Sequence, residues 1–288
     1  MSDLSRFLAR AEGLLDRLDA ILPVIPTPPD WGQHIAFRWQ RLQGRGQYRP
    51  VARPHRLRLE DLRQVERQKR ELDRNTRQFL AGLPANNALL WGPRGTGKST
   101  LIKAILNEHA SRGLRLIEVD KTDLMDLPEI VDHLYDRPER FILFCDDLSF
   151  EAGEAGYKAL KAILDGSIST APDNVLVYAT SNRRHLLPEM MAENLDTRIV
   201  DGELHHGEAV EEKVSLSERF GLWLSFHPFS QDDYLSIVDY WLGQLGGSEL
   251  DDTARKQALQ WALTRGSRSG RVAFQFAKDW TGRQGLET

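Results

Sequence analysis

One eight-residue stretch, GPRGTGKS at residues 92–99, limits what this chain can fold into more than anything else in it. Glycines stand at 92, 95 and 97, and a lysine and a hydroxyl follow. ALLW before the stretch has strand character, and STLIKAILNEH after it has helical spacing. A glycine-rich turn between a strand and a helix can curl until its N–H groups point inward at phosphate oxygens. The helix that starts there adds its positive end. This is the phosphate-loop pattern, and Gly92, Pro93, Arg94, Gly95, Thr96, Gly97, Lys98, Ser99 and Thr100 are the candidate nucleotide-binding residues. Lys98 is expected to reach the β- and γ-phosphates, and Ser99 to take a magnesium position.

A second feature supports the first. FILFCDDLSFE, residues 141–151, is an apolar run that stops at two adjacent acids. In phosphate-loop proteins a further strand ends in an acid that holds magnesium, and Asp146 is the candidate. Asp147 then faces the γ-phosphate side, where a carboxylate can orient and polarise a water.

The segments around these motifs alternate. Expected strands are Ala88–Trp91, Leu114–Val119, Phe141–Cys145, Val175–Thr180 and Gly221–Phe226, with helices over Lys98–Arg112, Leu127–Tyr135 and Tyr157–Leu164. Such alternation gives an α/β fold, a parallel sheet covered by helices on both faces. Beyond Pro228 only helical patterns remain. Ser230 with Asp233, and Ser248 with Asp251, look like capping boxes that open amphipathic stretches. At the other end, residues 2–22 place Leu4, Phe7, Leu8, Ala11, Leu14, Leu15, Leu18, Ile21 and Leu22 on one helical stripe, and PVIPTPPD breaks it. Residues 31–58 read as irregular, and a second helical stretch runs over roughly 59–83. The expected division is therefore an N-terminal helical and basic extension at 1–58, a nucleotide-binding α/β domain at 59–228, and a helical lid at 229–288. A chain of 288 residues has room for one large domain and a smaller one.

These motifs, in this order, resemble the AAA+ class of ring-forming P-loop ATPases. LPANNALLWGPRGTGKST, FILFCDDLSFE, VLVYATSNRRHL and EEKVSLSERFGLWLSF together resemble more closely an uncharacterised bacterial AAA+ family of ATP-binding proteins. The resemblance implies that residues 92–99 are a Walker A loop and Asp146–Asp147 the Walker B acids, with ATP and Mg²⁺ as the bound pair. Asp-Asp replaces the usual Asp-Glu, as in the bacterial replication-initiator branch. It implies that Asn182 is a sensor holding the attacking water, and that Arg219 is an arginine finger reaching a neighbour's site, so that the protein works as a homo-oligomer. SRSGRVAFQFA resembles the second sensor, with Arg271 the first choice and Arg268 its competitor.

The remaining composition narrows the setting. Residues 1–84 carry 16 Lys/Arg against 10 Asp/Glu, or +6; the rest carries 22 against 32, or −10. Such asymmetry suggests that the basic end meets something anionic. Residues 31–59 hold seven arginines and no acid, interleaved with Trp31, Phe37, Trp39 and Tyr48. That suits a nucleic-acid strand, with rings stacking on bases; it also suits an arm docking on a protein neighbour, or a linker with wet arginines. No apolar run is long enough to span a bilayer, no signal-peptide core precedes residue 30, and Cys145 has no internal partner for a disulfide, so a cytoplasmic setting is expected. No zinc spacing or hydrolase triad stands out beside the nucleotide motifs. The function expected is an ATPase that remodels or loads a protein or nucleic-acid partner. Two alternatives stay open: a slow nucleotide-dependent DNA-binding switch of the initiator or loader type, and a small-molecule kinase using the same loop.

Overall fold

The computed structural model describes residues 7, 10–14, 28–42, 44–150, 154–165, 172–183, 198–200, 203–205, 216–247 and 249–287. Residues 10–14 are helical; most of the stripe expected over 2–22 falls outside the described residues.

The strands are β1 (Ala36–Leu42), β2 (Arg45–Pro50), β3 (Ala88–Trp91), β4 (Leu114–Glu118), β5 (Arg140–Cys145), β6 (Val175–Ser181), β7 (Arg198–Val200), β8 (Glu203–His205) and β9 (Leu222–Ser225). Seven of them form one sheet in the order β2-β1-β4-β5-β6-β3-β9, and β7-β8 form a separate antiparallel ribbon. Within the large sheet every pairing is parallel except β1 with β2. The helices are α1 (Glu66–Leu80), α2 (Lys98–His109), α3 (Leu127–Asp132), α4 (Ala155–Asp165), α5 (Gln231–Gln244), α6 (Asp252–Thr264) and α7 (Gly270–Glu287). The five strands and three helices expected from the alternating segments are present; Ala88–Trp91 matches at both ends and the other ends differ by at most three residues.

The central strands β5 and β6 are buried along almost their whole length, as both-face coverage requires. One face carries Leu89, Ile117, Phe141, Leu143 and Val177 under α3 and α4. The other carries Leu90, Leu116, Ile142 and Phe144 under α1 and α2, whose Leu101 and Ile105 are fully buried. A buried polar knot fixes α1 to the sheet: the Tyr178 hydroxyl meets Thr76 Oγ1 at 2.8 Å and accepts from Asn75 Nδ2 at 3.1 Å.

Residues 31–58 are not irregular, and this corrects the expectation. β1 and β2 make a hairpin with Leu42 opposite Arg45, and β1 adds to the sheet beside β4. The driving force is the apolar side of β1. Phe37 and Trp39 are fully buried, and Trp31 packs on Phe37 at 4.3 Å between ring centroids. Burial of each such ring contributes roughly 1.5–3 kcal/mol. Trp39 also donates from Nε1 to Asp126 at 2.8 Å, and Arg41 Nε donates to the same oxygen at 2.7 Å. These rings fill the core, so Trp31, Phe37 and Trp39 are not available to stack on nucleic-acid bases.

After β9 the Phe226 N–H still donates to Trp91 O at 2.8 Å. His227, Pro228 and Phe229 then lead to α5, which Ser230 caps through a full capping box with Asp233. α5, α6 and α7 pack around Tyr234, Val238, Leu242, Ala258 and Phe276. The cap of α6 differs from expectation. Asp251 itself accepts the Ala254 N–H at 2.7 Å; Ser248 lies outside the described residues. Among the described residues no helix is long and apolar enough to cross a membrane.

Candidate functional site

The loop between β3 and α2 lines a cavity shared with residues of α5 and α7. Gly92, Gly95 and Gly97 all have positive φ, at 138°, 78° and 102°, a region open to glycine. At Gly92 there is also no room: a Cβ would run into the carbonyl oxygen of Phe226. Gly97 is the residue before α2 and supplies no side-chain cap, so the first N–H groups of the helix stay open for an anion.

Lys98 is buried, and its Nζ donates to Gly92 O at 2.6 Å, Pro93 O at 2.8 Å and Asn182 Oδ1 at 3.2 Å. Burial holds the Lys98 ammonium below its ordinary value, against the opposing pull of Asp147 and Asp146. A cation held by neutral carbonyls in a site of this kind has an unmet demand for negative charge.

Across the loop, Ser99 Oγ and Thr180 Oγ1 both donate to Asp146 Oδ1, each at 2.6 Å. Thr180 Oγ1 also accepts the Asp147 N–H at 2.9 Å. Asp147 has φ 52°, uncommon for a residue with a side chain, and that N–H contact helps to hold it there. Its carboxylate is engaged twice: Asn182 Nδ2 donates to one oxygen, and Arg94 Nη2 lies 3.2 Å from the other. Lys98, Ser99, Asp146, Asp147 and Asn182, expected separately from three segments, therefore form one connected network.

The network lines a cavity of about 720 Å³, within the range for ligand pockets. Arg94, Gly95, Thr96, Gly97 and Thr100 line it too, as does Arg271 from the start of α7; Arg268 does not. The start of α7 comes close to the loop here. A Cβ on Gly95 would lie 2.8 Å from Ser269 Oγ. Arg219 is elsewhere. Its Nε donates to Asp165 at the end of α4, and it does not line the cavity. Beyond Asn182, Arg183 is exposed and its N–H donates to Ser181 Oγ at 3.1 Å; residues 184–197 lie outside the described residues.

Sequence reasoning missed two parts of the site. Thr180 was read only as the end of a strand. The other is an apolar part of the cavity lining, Leu62, Val65, Ile237, Trp241 and Phe274, whose composition suits an aromatic base. It is assembled from the segment before α1 and from α5 and α7. Tyr240 OH donates to Asp61 at 2.7 Å, and Gln64 Nε2 to Ser236 at 2.9 Å. No spacing rule brings residues so far apart in sequence together.

The residues present fit a triphosphate with magnesium. A loop of open N–H groups and one lysine suit phosphate oxygens, while one hydroxyl and one carboxylate are hard oxygen ligands for the metal. No cluster of three or more His, Cys, Asp or Glu that could hold a metal by itself occurs among the described residues. Cys145 is fully buried, and burial pushes its thiol up to about 12, so it stays protonated.

A family described as a protein of unknown function (DUF815) matches residues 32–284. No curated protein matches the chain. Among solved structures, the Holliday junction branch migration motor RuvB of Thermotoga maritima is similar at TM-score 0.51 and 19% identity, covering 77% of this chain and 63% of that one. A variant of the same protein gives 0.52 and 19%, with 77% and 64% covered. The chain thus spans less than two thirds of that motor's length. At this identity the likeness concerns the fold: an AAA+ P-loop fold with a parallel-dominated sheet and flanking helices.

Proposed function

The chain belongs to the DUF815 family of proteins of unknown function, and we propose that it is an AAA+ ATPase that binds ATP with Mg²⁺ and hydrolyses it. One observation carries the reading: Lys98, Ser99, Asp146, Asp147 and Asn182 converge in one hydrogen-bonded network beside an open helix N-terminus. The Lys98 ammonium is the group that gains most from a phosphate, since its present partners are neutral oxygens. On binding, it would exchange them for β- and γ-oxygens.

Ser99 and Asp146 would hold the metal, which supplies charge neutralisation to the phosphates. Asp147 would orient a water for attack on the γ-phosphorus, with Asn182 beside it as second anchor. The water oxygen forms the new P–O bond, the bond to the β-phosphate oxygen breaks, and ADP and phosphate leave. Arg271 would contact the phosphates from the lid. Arg219 would act from one copy on its neighbour's site, which makes the working form an oligomer. Its planar guanidinium suits the spread charge of a transferring phosphoryl group. The turnover would remodel or load a protein or nucleic-acid partner in the cytoplasm, with residues 229–288 as the moving lid. A slower, switch-like use of ATP has one observation in its favour: both carboxylate oxygens of Asp147 are already engaged.

The test is direct. Purified protein releases phosphate from ATP when magnesium is present. Lys98→Ala loses ATP binding, while Asp147→Asn binds ATP but does not turn it over. Absence of calorimetric heat with ATP and magnesium would overturn the reading.

A further inference from the structure

Of the rings in residues 31–59, Trp31, Phe37 and Trp39 are inside and Tyr48 is partly buried against them, but the arginines are not buried. Strand alternation turns Arg38 and Gln40 of β1, and Arg45, Gln47 and Arg49 of β2, to the side opposite Phe37 and Trp39. On that side Arg45 and Arg49 are exposed. Arg38 stands directly across from Arg49. Like charges opposite one another on a strand pair are destabilising. Glu118 compensates Arg38 at 2.7 Å; Arg49 has only a weak contact to Gln40 at 3.4 Å. Among the described residues no carboxylate pairs with Arg45, Arg49, Arg53 or Arg56. The chain then runs beside α2, where Asn107 Nδ2 donates to His55 O at 2.6 Å and Leu57 O at 2.8 Å. His55 and Leu57 line the candidate nucleotide cavity, so the segment that carries Arg53 and Arg56 continues from the sheet edge to that cavity.

We propose that this row is a docking surface for the phosphate backbone of duplex DNA. Uncompensated guanidinium groups on a rigid, exposed strand pair fit phosphate oxygens, and the like-charge cost on that face is relieved by a polyanion. Residues 85–288 carry a net −10, which repels a polyanion elsewhere and so orients it on this face. With the rings buried, the stacking platform that a single strand uses is missing. Contacts confined to phosphate position a duplex without reading its sequence. The surface lies outside the nucleotide site, and its binding is measured without ATP, so it stands or falls separately from the ATPase reading.

Fluorescence anisotropy of the full chain with a short labelled duplex tests it. Four phosphate contacts predict a slope of log affinity against log salt of about −3.6, roughly a 100-fold loss between about 50 and 200 mM salt. Arg45→Ala with Arg49→Ala reduces that slope by about 1.8 and weakens binding by about tenfold. The same double variant keeps its melting temperature and its phosphate release from ATP. No binding at low salt, binding unchanged in the double variant, tighter binding of a single strand, or equal competition by polyglutamate would each overturn the proposal. The last would mark an acidic protein surface as the occupant instead.

Discussion

The hydroxyl of Thr180 donates to Asp146 at 2.6 Å. The same oxygen accepts the Asp147 N–H at 2.9 Å, so one side chain on β6 orients both acids that follow β5. Thr180→Val keeps the shape and removes both contacts. A group that orients a metal-holding carboxylate typically accounts for 10–100-fold in affinity or activity. Magnesium-dependent phosphate release in this variant is expected to fall by about that factor, with Thr180→Ser near the parent rate. Equal rates for the valine and serine forms would remove Thr180 from the site.

Gly95→Ala tests the approach of the lid to the loop. Gly95 has φ 78°, and its Cβ would lie 2.8 Å from Ser269 Oγ and 2.9 Å from Ser269 Cβ. The backbone strain alone costs about 1–3 kcal/mol. Melting is expected to shift down, and calorimetric affinity for ATP to fall because Arg271 is displaced with Ser269. An unchanged affinity would show that the lid start does not contribute to binding.

Asp126 gives the hairpin a pH-dependent anchor. Its carboxylate is buried and receives Arg41 and Trp39. The Arg41 hydrogen bond, then that of Trp39, hold its pKa below the usual carboxylate value despite desolvation. A carboxylate lowered on folding stabilises the fold above its unfolded pKa of about 3.9, and that contribution is lost as pH falls through the lower folded value. Asp126→Asn is expected to reduce stability by about 1–3 kcal/mol at neutral pH. Below about pH 4 the gap between parent and variant narrows. Denaturant melts at neutral and acid pH check both parts; a gap that widens on acidification contradicts the assignment.

Arg219 sits at Asp165 within its own chain and away from the cavity. If it serves a neighbour, Arg219→Ala leaves ATP affinity intact and lowers turnover by about 10³-fold. Mixing Arg219→Ala copies with Asp147→Asn copies then restores activity, because the second kind supplies the arginine and the first the acid. A mixture no more active than its separate components rules out action between copies.

The convergence of the candidate nucleotide residues was legible because each motif is local. GPRGTGKS needs glycine at particular backbone angles, and FILFCDD joins a strand to its acids in one run. Arg271 and Arg268 stand near the same helix start, and only packing puts Arg271 rather than Arg268 at the cavity. The β1–β2 hairpin was passed over because its arginines and glycines look like a loop. Its alternation, Phe37 and Trp39 in and Arg38 out, was present but short, and Gly44 marks the turn. Thr180 and the apolar part of the cavity lining needed the sheet order and the lid position, neither of which a spacing rule contains.

The passage from β9 to α5 sets what a nucleotide-driven movement of the lid can look like. Phe226 is still bonded to Trp91, and Ser230 already caps the next helix, so only His227, Pro228 and Phe229 lie between two stiff bodies. Proline fixes one of the few torsions available there. A crank this short turns about nearly one axis, so the arm would trace a narrow arc rather than swing at random, and whatever it pushes would be pushed in one direction.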